Sequence, residues 1–222
     1  RVEYILNFQE QYPEAEIITL TKNYRSSSDI VSFMNESIKV MGLPGLEAAQ
    51  RELEKDLLLL TFDSEEDEFS YVIQELVAAN GSLQDVFVLA RTNRILLEFS
   101  QRLKSARINH IVRSDELRRT AMEKEGALTL ATIHAIKGLE AKKVFVLGCH
   151  TNNFPCRASD HPVVDFVKAQ EDVGEEERRL FYVALSRAQE SLVLTSSSLL
   201  TKYITTDMKR MLQGSEKVQK KL

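Results

Sequence analysis

The chain has 222 residues, 43% hydrophobic and 28% charged, with a formal net charge of −4. This is an ordinary water-soluble globular composition, long enough for one large domain or two small ones. It excludes a membrane span, since no apolar run reaches about 20 residues. The acidic balance also argues against general electrostatic capture of nucleic acid, which leaves a basic footprint. The chain opens Arg1-Val-Glu-Tyr4, with neither an initiator Met nor a signal peptide, so a fragment of a longer cytoplasmic protein is expected. Two cysteines, Cys149 and Cys156, fit a reducing compartment. With His150 and His161 they match no standard zinc spacing, and no metal site is expected.

In chain order, short β-branched runs alternate with helical patterns. Strands are predicted at 17–20, 57–62, 86–90, 110–112, 128–133, 144–148 and 192–196. Most lack polar alternation, as strands buried on both faces of a parallel sheet do. The first helix follows the capping cluster Ser27-Ser28-Asp29 and carries Ile30, Val31, Phe33, Met34 and Ile38 at helical spacing. A second follows the acidic run 63–68, read as charge favouring a helix N-terminus. The third is capped by Asn93, and the fourth spans 175–189. Residues 42–54 read as a surface connection with a short helix, and 152–174, with Pro155, Pro162 and Gly174, as a loop. The segment from Thr201 reads as a polar tail, helical or disordered. Residues 1–200 are thus expected to form one domain and 201–222 its tail. Eight basic residues between Arg91 and Arg119 outnumber the acids there, which reads first as a solvated helix face.

Strand–helix alternation implies an α/β doubly wound sheet, with ligands beyond the carboxyl ends of the strands. On that rule Tyr24-Arg25, Arg91-Thr92-Asn93 and the segment 134–140 are all expected at one edge. There is no Gly-x-x-x-x-Gly-Lys-Ser/Thr loop to cradle a phosphate, and no nucleophile–base set for independent hydrolysis. What stands out is arginine, above all in 175–188, Glu-Glu-Glu-Arg-Arg-Leu-Phe-Tyr-Val-Ala-Leu-Ser-Arg-Ala. Exposed ion pairs contribute only about 0–1 kcal/mol each, so stability alone does not call for such a helix. A rigidly held guanidinium suits a phosphoryl group, and an arginine donated to a nucleotide is worth roughly 10³–10⁵ in rate.

Five segments in register carry a family resemblance. Asn23-Tyr-Arg-Ser26, preceded by Phe8 to Pro13, Ala90-Arg-Thr-Asn93, Thr132-Ile-His-Ala-Ile-Lys-Gly-Leu-Glu140, Asn153-Phe-Pro155 and the 175–188 block resemble motifs of the UvrD/Rep/PcrA-type superfamily 1 DNA helicases. The match is to their C-terminal, second RecA-like motor domain. The resemblance implies a RecA-like parallel sheet flanked by helices, without its own phosphate loop. It implies that Tyr24 stacks on adenine and that Arg25 and Arg187 reach the γ-phosphate as the catalytic residues. Gly138 and Glu140 would complete the ATP site, with Glu140 near the ribose. Arg91, Thr92, Asn93, Thr132, His134 and Phe154 would face single-stranded DNA, Phe154 as a packing or stacking surface. ATP and Mg²⁺ are the implied cofactors, the Mg²⁺ ligands lying in an N-terminal RecA-like domain of the same polypeptide. Repair or recombination proteins are further partners of the kind the family suggests, and translocation polarity would be 3′→5′.

Three departures qualify the likeness. The first motor domain is missing. The large helical insertion common in the family is reduced to 114–127 or absent, which puts strand separation in more doubt than translocation. Ser186 stands where a Thr is common, and its hydroxyl survives. No motif reads a 2′-hydroxyl, so an RNA-directed relative stays open, as does a non-catalytic docking or regulatory domain.

Overall fold

A computed structural model describes residues 7–49, 56–79, 81–114, 126–156 and 173–212. In chain order they form α1 (Phe8–Gln11), β1 (Lys22–Asn23), α2 (Ser28–Ile38), β2 (Glu47–Ala48), β3 (Leu57–Thr61), α3 (Glu65–Ala78) and β4 (Val86–Ala90). Then come α4 (Asn93–Ser105), β5 (His110–Arg113), β6 (Leu128–Thr132), β7 (Ala141–Val146), α5 (Val173–Leu185), β8 (Ala188–Ser196) and α6 (Thr206–Met211). Six strands make one sheet in the order β3-β8-β7-β4-β6-β5, parallel at every pairing. β1 and β2 pair separately, also in parallel.

The period of two explains why these runs are so evenly apolar. Successive side chains in a strand point to opposite faces, and both faces are covered. Leu57, Leu59, Phe87, Leu89, Val144, Val146, Leu192 and Leu194 join the cluster that includes α2, α5 and α6. Leu60, Val88, Ala90, Phe145 and Val193 join the opposite cluster, with α3 and α4. α3, α4 and α6 start where short polar side chains satisfy orphan amides, whereas Ser27, ahead of α2, makes no such side-chain bond. Ser64 Oγ accepts from Asp67 N at 3.1 Å and Thr205 Oγ1 from Met208 N at 3.2 Å. For α4 the cap is Thr92, whose Oγ1 accepts from Ile95 N; Asn93, expected as the cap, is the first helical residue.

Four expectations change. Residues 17–20 form no strand: Ile17, Ile18 and Leu20 are 61%, 76% and 85% exposed, because no described strand lies beside them to complete a ladder. The fourth helix ends at Leu185 rather than 189, since from Ala188 the backbone pairs with β7. Residues 47–48, expected in a surface connection with a short helix, pair instead as β2; 50–55 lie outside the described residues. Thr201–Leu212 is no tail: Tyr203, Ile204, Met208 and Leu212 are buried in the first cluster, and Thr201 Oγ1 donates to Phe154 O at 2.7 Å. Most of the 114–127 connection, most of the 152–174 loop and residues 213–222 also lie outside the described residues.

A core role for this C-terminal segment has a direct check. Met208 is fully buried, so Met208→Ala should destabilise the domain by about 2–5 kcal/mol. Thermal unfolding should then shift down by roughly 2–4 °C per kcal/mol. A frayed tail would leave the melting curve unchanged.

Candidate functional site

A parallel sheet puts every strand start on one edge and every strand end on the other, and the chemistry-bearing side chains divide accordingly. At the edge where β7 and β8 begin, Ala141 and Ala188 are register partners. The residues just before them are Glu140 and Arg187, which places both side chains beside each other. The loop ahead of α2 is sewn to the same edge: Ser26 Oγ donates to Ala188 O at 2.7 Å and Ser27 N to Gln189 O at 2.9 Å. Asn23 Oδ1 accepts from the amides of Arg25 and Ser26, each at 2.9 Å. That turn delivers Arg25 to Glu140.

Arg25 Nε donates to Glu140 Oε2, and its NH1 donates to Ser186 O at 3.1 Å. The second carboxylate oxygen accepts from Gln189 Nε2 at 2.9 Å. Arg187 folds back on the end of α5, with Nε on Val183 O at 3.1 Å and NH2 on Ser186 Oγ at 2.8 Å. Its NH1 bonds Leu139 O at 3.1 Å. Burial and the nearby Arg25 lower the Arg187 pKa, against Glu140 and Tyr182, which raise it. Two guanidiniums that repel across a partly dry edge, with one carboxylate between them, are suited to an anion rather than a dication. Tyr24 stands beside this group, 69% exposed. Gly138 lies in the loop leading to Glu140 at φ +86°, a left-handed angle that glycine adopts without strain.

The other implied set lies at the opposite edge, so the expectation of one shared edge is corrected. Arg91 comes directly after β4, Thr132 ends β6, and Ala90 and Thr132 are register partners. His134 and Asn93 are half-buried there. Thr132 is 6% exposed, and its Oγ1 accepts from Ala135 N at 3.3 Å, closing the turn that presents His134. Arg91 is directed inward: Nε and NH2 meet Glu177 Oε2 and Oε1 at 3.0 and 2.5 Å, with side chains only 11% and 6% exposed. Phe154 offers no stacking surface. It is fully buried, edge-on to Phe181 at 5.3 Å between centroids, because the apolar pocket under α5 takes the ring.

Three groups escaped the sequence reading. Gln189 steadies Glu140, and Glu177 holds Arg91 while also accepting from Cys156 N at 3.2 Å. Glu68, read as helix-terminus charge, is 1% exposed; its Oε1 accepts from Gly148 N at 2.7 Å and Thr195 Oγ1 at 2.5 Å. It thereby ties the ends of β7 and β8 together. Gly148 has φ +64°, and a Cβ there would stand 2.4 Å from Asn153 Nδ2. Burial raises the Glu68 pKa against these hydrogen bonds, and pushes the adjacent Cys149 thiol well up. Burial also lowers the His150 pKa. A signal existed for both glutamates: Glu68 lies on the stripe of Phe69, Val72 and Leu76, and Glu177 on that of Leu180, Phe181 and Ala184. A carboxylate inside an apolar stripe is buried and needs a partner.

Comparison with known proteins supports the family resemblance and the fold. Residues 18–118 and 112–199 match the family described as UvrD-like helicase C-terminal domain, and the chain belongs to that family. The ATP-dependent DNA helicase PcrA of Bacillus subtilis is 40% identical over 82 residues, 37% of this chain and 10% of that protein. The ATP-dependent DNA helicase SRS2 of Saccharomyces cerevisiae is 30% identical over 126 residues, 43% of this chain and 11% of SRS2. The aligned region therefore spans about a tenth of these relatives. The solved C-terminal domain of a possible DNA helicase from Lactobacillus plantarum WCFS1 superposes with a TM-score of 0.61 at 17% identity, over 87% of this chain and 99% of that one. The fold is thus the α/β, RecA-like one that the motifs imply.

Glu68 makes a prediction with a defined sign. Its folded pKa is raised, so its contribution is full below its ordinary value of 4.5 and is lost as pH rises through the folded value. Glu68→Gln keeps an acceptor for Gly148 N without the buried charge. Relative to wild type, its stability to denaturant should improve as pH rises from below 4.5 to neutral. A stability difference that stays flat with pH would show that the carboxylate does not titrate in the folded domain.

Proposed function

We propose that this chain is the second motor domain of an ATP-dependent translocase on single-stranded DNA, moving 3′→5′, with ATP held between it and an N-terminal RecA-like domain. The observation that carries the reading is the pairing of Arg25 and Arg187 at one sheet edge, each hydrogen-bonded to the Ser186–Arg187 turn or the end of α5. Such a pair is poised for a polyanion: burial and then repulsion from Arg25 lower the Arg187 pKa, and a phosphate would offset the repulsion and offer acceptors to both planar forks.

In this proposal Arg25 leaves Glu140 for the γ-phosphate, and Arg187 swings from Leu139 O to stabilise the charge that spreads over the phosphoryl oxygens. Bound ATP supplies the phosphoryl group, with Mg²⁺ held by the N-terminal domain. Glu140, released from Arg25, faces the ribose, and exposed Tyr24 gives the adenine a ring to stack on. Contacts made with the triphosphate and lost with the diphosphate drive closure and opening of the two domains. The nucleic-acid track is the far edge, where His134, Thr92 and Asn93 offer small polar groups that hold phosphates without reading bases.

The test is ATP hydrolysis by the full-length parent, with and without single-stranded DNA, beside Arg187→Ala. We expect strong stimulation by DNA, reduced roughly 10³–10⁵-fold in the variant, with unfolding temperature preserved. Equal rates for both proteins would refute the phosphate role of Arg187. Stimulation by RNA but not DNA would move the reading to an RNA-directed motor.

A further inference from the structure

The two edges are mechanically joined by one helix. α5 has 13 residues and at about 1.5 Å per residue reaches roughly 20 Å. Glu177, near its start, grips Arg91 at the strand-end edge through both carboxylate oxygens, and takes Cys156 N from the segment after β7 as a third partner. Its last turn supplies Val183 O to Arg187 Nε at 3.1 Å, at the strand-start edge. Between these ends Leu180, Phe181, Ala184 and Leu185 are buried, so the helix shifts as a packed unit rather than by bending.

We propose that Glu177 is a positioning residue that couples the nucleic-acid edge to the phosphate-binding arginines, with Arg91 as its lever. This rests on the reading of the two edges given above. Arg91 opens the segment Arg91-Thr92-Asn93, which leads directly into α4. A strand gripped by Thr92 and Asn93 displaces that segment. A bidentate guanidinium–carboxylate pair transmits the displacement with little play, since its two parallel bonds fix both distance and plane. α5 moves in turn, and Arg187 moves with its last turn. An ion pair kept only for stability has no need of such an address: burying it confers little net stability over an apolar pair of similar shape. Other paths between the edges exist through the sheet, but among the described residues this side-chain pair ties the Arg91 segment to the helix whose last turn anchors Arg187.

Coupling of this kind is reciprocal and measurable without catalysis. The experiment compares the full-length parent with its Glu177→Gln variant, measuring the Kd for a single-stranded oligodeoxynucleotide with and without a non-hydrolysable ATP analogue. In the wild type the analogue should shift the DNA Kd by about 5–150-fold, the usual range for linked sites. In Glu177→Gln that shift should fall to about twofold or less, while the nucleotide-free DNA Kd changes by no more than about threefold, the remainder being the lost linkage. Glu177→Asp, which keeps the charge on a shorter arm, should restore part of the shift and serves as the reading if Glu177→Gln does not fold. A full wild-type shift in the variant, or DNA and analogue affinities falling together, overturns the coupling role. A wild-type protein that binds DNA without any shift overturns it as well. One that binds neither ligand overturns the proposed function itself.

Discussion

Everything about the placement of chemistry in this domain depends on the parallel pairing of β7 with β8. Because the strands run the same way, the residues just before each strand reach a single edge and the residues just after it reach the other. Glu140 and Arg187 lie just before β7 and β8; Gly148 and Ser196 lie at their far ends. Antiparallel pairing would have brought Arg187 beside Gly148, and no anion-facing pair of arginines could form. The loop before α2 adds Arg25 only because Ser26 and Ser27 bond to the backbone of the first residues of β8. The grouping of Arg25, Glu140 and Arg187 at one edge is therefore a consequence of strand direction plus two serines.

The strand-end edge is held by a different device, buried carboxylates. Glu68 clasps Gly148 N and the Thr195 hydroxyl, and Glu177 clasps Arg91 and Cys156 N. Glu68 ties α3 to the paired ends of β7 and β8, and Glu177 ties α5 to the segments that follow β4 and β7. Their energetics differ in kind. Glu177 faces a guanidinium, and removing either partner would strand the other charge, a loss of about 3–5 kcal/mol for a buried pair. Glu68 has only neutral donors, so burial moves its pKa up and leaves the protonated form the better fit. A polar edge tied in this way is held in place without being apolar, which suits the proposed contact with a wet, charged strand.

Much of this was legible in the sequence where one principle dominated. The run 86–90 is apolar throughout and is a strand to the residue, because burial on both faces leaves no competing pattern. The motif Thr132–Glu140 was legible as chemistry but not as geometry. It begins at one edge and ends at the other, joining β6 to β7, so its Thr and His serve one surface and its Glu the other. The rule that ligands lie beyond strand ends misplaced Arg25, because the strand expected at 17–20 does not form and the loop before α2 is bonded instead to the start of β8. Phe154, read as a packing or stacking surface, is a packing one. An aromatic in a loop looks exposed until the pocket beneath α5 is known, and that pocket depends on Phe181 and Tyr203, far off in sequence.

The isolated domain is self-neutralised at the edge it would offer to phosphate. Arg25 is engaged by Glu140, Glu140 is held by Gln189, and Arg187 leans on carbonyl oxygens of its own helix and of Leu139. Each contact is made from groups within this chain, and in the proposed function those of Arg25 with Glu140 and of Arg187 with Leu139 are surrendered when a phosphoryl group binds. A lone phosphate brings too few contacts to repay that exchange, whereas a triphosphate fixed by a second surface brings the same contacts at high effective concentration. Under the proposed function, the arrangement would bias the arginines against free anions and toward a nucleotide already seated elsewhere. The proposed function is thus compatible with a net charge of −4: it relies on a few aimed cations, Arg25 held by Glu140 and Arg187 by carbonyl oxygens, rather than on a broadly basic surface.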